Sequence, residues 1–464
     1  MSPQRTTPSR TRSRRFGTAA VAVLAVAAAS CGSDSDDTEP AASDAPATTA
    51  EPAEAEAPAT DPPSTDAPAT DVPIADDSPY IVEDAGDAAD ADPGDGVCAT
   101  DEGSCTLRAA VDEANAIDGE QTISLSSDVT LATAGADEDA NATGDFDITD
   151  DLVIEGGGWV IDADRLDRVF HVQGVSLDLS NITMINGLVE GEGASGGAVF
   201  NDAGALSIAD SALTNSSATR AGGAIEANEG MTSLMAVELS GNSTGDGPGN
   251  GGGLHLTGAG TVTVADSTVA GNTATAEGGG LWNSAGGTFE ITNTMIEGNT
   301  ANGAAPDSGG GGLYNDGGTM TVNGGTIDAN IADGEAGSGG GILNNLGDLT
   351  VTDTVITNNT SVRAGGGIEA NEGTTTLMSV EMSANSTGES PGNGGGLHLT
   401  GVGTVTVTDS TVTGNIATAE GGGLWNSAGG TMSVTGTDAS GNDAPDGPDL
   451  FNDGGTFTVD GENV

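Results

Sequence analysis

From about residue 121 to the C-terminus, apolar and polar residues alternate with a period of two in short runs such as "GTVTVADSTVAGN" and "GTMTVNGGTIDAN". The runs are rich in Val, Ile and Thr and are punctuated by Gly, Asp and Asn, while helical periodicity is absent. Such runs form half-buried strands that offer one face to a core. An apolar residue follows each glycine cluster: Val199, Ile225, Leu254, Leu281, Leu313, Ile342, Ile368, Leu397 and Leu424, and Leu450 continues the series without a cluster. Successive members lie 26 to 32 residues apart, room for three short strands and their turns. A unit of this size cannot bury its own apolar side, so units must stack. Irregular spacing fits a parallel β-helix whose turns vary in length, and at about 4.8 Å per coil the array makes a rod of roughly 50–65 Å.

A second marker falls just after the last strand of each unit: Asn186, Asn215, Asn242, Asn272, Asn299, Asn330, Asn359, Asn385, Asn415 and Asn442. Asn at one turn position in successive coils can hydrogen-bond its neighbours above and below, and it tolerates the left-handed turn conformation.

The residue after each apolar marker points away from the core if alternation holds. In order these are Phe200, Glu226, His255, Trp282, Tyr314, Leu343, Glu369, His398, Trp425 and Phe451, so five of the chain's twelve aromatic residues occupy one column. Outward rings beside carboxylates suit sugars, whose C–H faces pack on aromatics while their hydroxyls donate to acids. The column carries an internal duplication. Residues 220–287 and 363–430 agree at 56 of 68 positions, which makes Glu226–His255–Trp282 and Glu369–His398–Trp425 equivalent patches five coils apart. Two weak sites on one rod favour a long polymer by avidity.

Charge narrows the partners. The chain has 10 arginines, no lysine and 70 Asp plus Glu, and five of the arginines lie before residue 16. That balance excludes nucleic-acid binding by phosphate neutralisation. It also disfavours polyanions and anionic lipid surfaces unless a cation bridges. Residues 1–30 read as an export signal, a basic segment followed by an apolar, alanine-rich stretch too short to span a membrane. "AAASCGSDSDD" resembles a bacterial lipoprotein processing site with Cys31 as the lipidated residue, so membrane contact is expected through that anchor only. Residues 31–80, with near-repeats such as "APATDPPSTDAPATD", lack the large apolar residues of a core and read as a disordered acidic linker. In an exported chain Cys98 and Cys105 are expected to form a disulfide, and two Cys without a nearby His are too few for a metal site. No cofactor is required, and calcium at acidic turns such as residues 137–145 is the one cation the pattern admits.

"CTLRAAVDEANA", Cys105 to Ala116, resembles the C-S-L-R-E-A motif that precedes right-handed parallel β-helix repeats in bacterial surface proteins, with Thr106 for Ser and Ala109 for Glu. Residues 144–187 are similar to the opening coils of that group, and the glycine-cluster units are similar to polymorphic outer-membrane-protein repeats. The resemblance implies an all-β chain: a single-stranded right-handed parallel β-helix behind a short capping helix. In physical terms Thr106–Ala116 is amphipathic, with Leu107, Ala110, Val111 and Ala114 on one face and Arg108 free to pair with an acid of the cap. The expected organisation is an N-terminal cap over residues 81–120 and β-helix repeats over residues 121–464.

The superfamily so implied holds lyases, hydrolases, adhesins and structural proteins, so function must be argued from residues. Uronate lyases need a base and a cation, yet the glycine-cluster repeats offer only Arg220 and Arg363. Glycosidases need two placed carboxylates, for which Asp162, Asp164, Asp167 and Asp202 are undistinguished candidates among so many acids. No catalytic residue is assigned. The expected function is non-catalytic: an exported, lipid-anchored surface protein that binds polysaccharide or cell-envelope glycan through the outward column. A β-helix lyase or glycosidase, and an envelope spacer without a ligand, are the alternatives.

Overall fold

The computed structural model describes residues 79–135 and 138–464; the signal segment, Cys31, nearly all of the linker and Asp137 lie outside the described residues. From Tyr80 onward the chain is a parallel β-solenoid of about 12 turns with one helix. Among the described residues the strands form four sheets of 15, 12, 12 and 8 strands. Neighbouring strands pair in parallel until the last hairpin, where Thr456–Val459 meets Glu462–Asn463 antiparallel.

A coil has four strands where the pattern suggested three. Ile225–Asn228, Met231–Met235, Glu238–Ser240 and Ser243–Thr244 contribute one strand to each sheet. The fourth is two residues long, too short to register as alternation. Apolar markers such as Val199, Ile225 and Leu254 face one continuous core. They share it with alternating positions of the adjoining strands, such as Val262, Val264 and Val269.

The turn that closes each coil combines two devices. Eight of the ten marker asparagines, from Asn242 to Asn442, form one buried ladder. From Asn272 onward each accepts, on its side-chain oxygen, the backbone N–H and the side-chain amide of the asparagine one coil earlier, as Asn330 does from Asn299 at 3.0 and 2.9 Å. Asp449 ends the run by accepting from Asn442. Asn186 and Asn215 belong one residue earlier, at a left-handed turn position with φ of 60° and 57°. In the coil of Asn215 it is Ser216 that meets the ladder, donating its backbone N–H to Asn242 Oδ1. Beside the ladder, glycines stack on glycines: a Cβ at Gly279 would lie 2.3 Å from the carbonyl oxygen of Gly311 in the next coil. The glycine clusters are therefore a packing requirement of this turn. A second interior amide stack, Asn283–Asn315–Asn344, runs inside the sheet that carries the column, with links of 2.8 Å.

The N-terminal end is capped as the amphipathic pattern suggested. Helix α1 (Leu107–Ala116) is N-capped by Thr106 and packs on the strands Tyr80–Val82, Gln121–Leu125 and Phe146–Ile148. The Cys98–Cys105 disulfide sits beside it. Arg108 is fully buried, pairs with Asp87 at 2.7 Å, donates to the carbonyls of Asn141, Gly144 and Asp145, and lies over the Phe146 ring. Its role is to tie the cap to the loop before Phe146.

Candidate functional site

The column exists and is in register. Phe200, Glu226, His255, Trp282, Tyr314, Leu343, Glu369, His398, Trp425 and Phe451 are successive Cα partners on the outer face of one 12-stranded sheet. The expectation of an open aromatic wall is corrected, because the column is roofed. Trp282 and Trp425 are only 7% and 8% exposed, and Tyr314 and Leu343 are buried with Trp282 in an apolar cluster of their own. The roof is the glycine turn that enters each strand: it passes so close that a Cβ at Gly278 would lie 2.9 Å from Trp282 Cβ. The covered rings stack on one another, His255 on Trp282 at 4.3 Å and His398 on Trp425 at 4.2 Å. Their polar atoms are satisfied from the roof, by Glu277 for Trp282 Nε1, Glu420 for Trp425 Nε1, and the Asp307 carbonyl for Tyr314 Oη. Burial raises the Glu277 carboxyl above the usual carboxylate range, against the hydrogen bonds from Trp282 and Ser308.

The acids of the column are buried with their partners. Glu226 accepts from His255 Nδ1 at 3.0 Å and from Thr257 Oγ1 at 2.6 Å, with Arg220 at 3.5 Å. Glu369 repeats this with His398, Thr400 and Arg363. Burial alone would raise the Glu369 carboxyl, but His398, Arg363 and Thr400 outweigh it and hold it below the ordinary value.

The column is open at its N-terminal end. Two coils precede Phe200 in the same register, contributing His171 and then Asp147. Here the outer face borders a cleft of about 750 Å³, walled by residues 138–145, 165–168 and 188–195 and floored by His171, Phe200 and Glu226. Three of the five arginines beyond residue 15 line it: Arg165, Arg168 and Arg220. They stand among seven carboxylates, those of Glu138, Asp139, Asp145, Asp167, Glu190, Glu192 and Glu226. Phe200 is half-buried; the His171 ring stacks on it at 5.1 Å and the Arg168 guanidinium lies 5.5 Å from its centre.

Beneath the cleft His171 Nδ1 lies 3.1 Å from Asp147, which is fully buried and also accepts from Asn141 N and Gln173 Nε2. Arg168 pairs with Asp145 at 3.0 Å. Burial, followed by the nearby charges of Asp167 and Asp147, nevertheless pushes the Asp145 carboxyl up to about 7 against the pull of Arg168 and His171. Two buried polar atoms at this site have no protein partner, His171 Nε2 and Arg168 Nε. Among the described residues Asp139, Asp147 and His171 are the one group of three potential metal-binding side chains within 4.8 Å. Asp147 is already satisfied by three donors, and no metal is assigned there.

Of the column residues named from sequence, the cleft holds Phe200 and Glu226; of the four undistinguished aspartates it holds Asp167. Asp162 and Asp202 instead accept from Asn186 and Asn228, and Asp164 occupies a left-handed turn with φ of 47°. Asp145, Asp147, Arg168 and His171 escaped the sequence reading because no glycine cluster precedes Phe146 or Phe170, so the column stopped two strands short. The segment "FHVQ" did carry the signal, one of only three His directly after an apolar strand residue.

Neither a protein-family model nor a curated protein matches the sequence. Among solved structures, the chain is similar to the A-module of the mannuronan C-5 epimerase AlgE6 of Azotobacter vinelandii, at 14% identity and a TM-score of 0.46, covering 82% of this chain and 99% of that one. It is also similar to the A-module of the epimerase AlgE4 of the same organism, at 15% identity and a TM-score of 0.37, covering 80% and 99%. Function therefore has to be argued from this chain's own residues.

Proposed function

We propose that this chain is an exported, lipid-anchored β-solenoid that binds polysaccharide in the cleft over His171 and Phe200. The observation that carries the reading is the pair of buried polar atoms left without a protein partner, His171 Nε2 and Arg168 Nε, on two side chains that both pack against the Phe200 ring. A buried polar atom is costly unless something completes it. A glycan supplies both needs, with a hydroxyl or a water it holds in place to donate to the imidazole nitrogen and an oxygen to accept from the guanidinium, while its C–H groups pack on the exposed part of Phe200. Seven carboxylates against three arginines favour a neutral glycan over an acidic one. Anchored at Cys31 behind the acidic linker, the cleft would be held away from the membrane.

The test is retention of the full chain on a panel of immobilised neutral and acidic polysaccharides. At least one neutral polymer should retain it, and acidic polymers should not. Phe200→Ala should weaken retention by about tenfold, the scale of one lost aromatic contact. Trp282→Ala with Trp425→Ala should leave retention intact wherever the protein stays folded, since both rings lie under the roof. Retention that survives Phe200→Ala, or that vanishes only in the folded double tryptophan variant, would return the site to the column.

A further inference from the structure

We propose that the cleft also cleaves the glycan it holds: His171 Nε2 takes a proton from an attacking water while Asp145 gives one to the departing glycosidic oxygen. This inference rests on the glycan reading above. Its geometry starts from Asp145, at the bend that leads into the strand Phe146–Ile148 and on the wall of the cleft, and from Asp147 within that strand, beneath His171. Their surroundings differ. Asp147 is sealed beneath His171 and receives three hydrogen bonds, so it acts as a positioning residue that keeps the imidazole proton on Nδ1. Nε2 is left with its lone pair and no protein partner. Asp145 is 4% exposed, lines the cleft and lies 3.0 Å from Arg168, which can stabilise the carboxylate once its proton is gone. Two titratable groups set apart by their environments, one to accept a proton and one to donate, are what acid–base cleavage needs.

The step balances without a cofactor. A water oxygen bonds to the anomeric carbon as the bond from that carbon to the glycosidic oxygen breaks. The water's proton goes to His171 Nε2 and the proton of Asp145 goes to the leaving oxygen. Exchange with solvent then restores both groups. The Phe200 face sets the sugar ring beside them. The duplicated patch lacks this apparatus. Below Glu226 the column continues to Phe200 and His171, whereas below Glu369 it continues to Leu343 and Tyr314.

The test uses the full chain with each polymer that retains it and counts new reducing ends between pH 5 and pH 9. The groups that face Asp145 are Arg168, Asp167, Asp147 and His171, and its carboxyl is pushed up to about 7, so the donating form is present below that pH and lost above it. Release of ends should therefore fall as pH rises through about 7. Asp145→Asn and His171→Gln should each slow it about 100-fold or more, the scale of a lost acid or base. Retention measured alongside separates lost chemistry from lost binding. A retained polymer that yields no new ends overturns the proposal and leaves the binding reading standing. An Asp145→Asn variant as fast as the wild type, or a rate that is flat through pH 7, also overturns it. A chain that retains on no polymer brings down both readings.

Discussion

Gly279→Ala is expected to cost about 4 kcal/mol or more and to leave the chain largely unfolded or insoluble. A Cβ there would lie 2.3 Å from the Gly311 carbonyl oxygen and 2.6 Å from both the backbone N and the backbone C of Thr300. All three are main-chain atoms of the next coil, pinned by ladder hydrogen bonds, so no rotamer change can relieve the overlap. The same close approach recurs at Gly252, Gly311, Gly340 and Gly366, each against a carbonyl oxygen one coil on, within 2.5 Å. Moving one coil strains its neighbours, because stacked coils share their energy through interfaces. Two controls make the claim specific. Gly298 has a φ of 60° but open space around its Cβ position, so Gly298→Ala should cost only about 1 kcal/mol in backbone strain. Gly247 also has open space, without a positive φ, and Gly247→Ala should stay within about 0.5 kcal/mol of the wild type. Thermal unfolding of the three variants checks the order. A Gly279→Ala protein as stable as Gly247→Ala would show that coils can separate at this turn.

Asn330→Ala should destabilise the central coils by about 3 kcal/mol. Asn330 accepts from Asn299 N and Asn299 Nδ2 and donates from its own Nδ2 to the Ile296 carbonyl and to Asn359 Oδ1, all at 2.9–3.0 Å in a fully buried setting. Truncation strands two donors and a carbonyl where water does not reach. A stranded buried group costs about 1–3 kcal/mol, and neighbours recover part of it. Asn330→Asp, which keeps the acceptor but loses the donors and buries a carboxylate, should be no better. Thr319→Ala, on the exposed face of a strand in the same coil, should change stability by less than about 0.5 kcal/mol. Denaturant unfolding followed at the central coils reads the difference. A change at Asn330 no larger than at Thr319 would mean that the ladder accompanies stacking without supporting it.

Both effects belong to features that were legible as patterns, although their physical meaning was not. The asparagines were visible as a recurring turn marker, and eight of them form the ladder. Sequence alone could not separate them from Asn186 and Asn215, because the ladder position and the left-handed position are adjacent residues. The glycine clusters were visible as punctuation. That they roof one sheet face and stack carbonyl on Cα became clear only when successive coils were superposed in space. The four undistinguished aspartates show the same limit: in a chain with 70 acids, spacing cannot say which carboxylate meets which arginine.

The duplicated phrase around His255 and Trp282 reads differently with its roof in place. Duplication copied five coils of a covered, self-satisfied stack, and what it extended was the rod. The cleft is not copied, because its distinctive parts, Asp145, Asp147, Arg168 and His171, lie before residue 220 where the duplicated segment begins.

Sequence by itself determined the stacking. A period of two, a repeat of 26 to 32 residues and turn residues at fixed offsets leave little else for short strands that cannot bury their own apolar side. It also determined the register of the column, since coils joined by short turns cannot slip without exposing the core face. Only the tertiary structure decided exposure. Whether an outward side chain meets solvent depends on where the preceding turn passes, and a glycine turn passes close enough to close the surface over Trp282. At the first coils the roof gives way to residues 138–145, 165–168 and 188–195, which stand apart and leave a cleft.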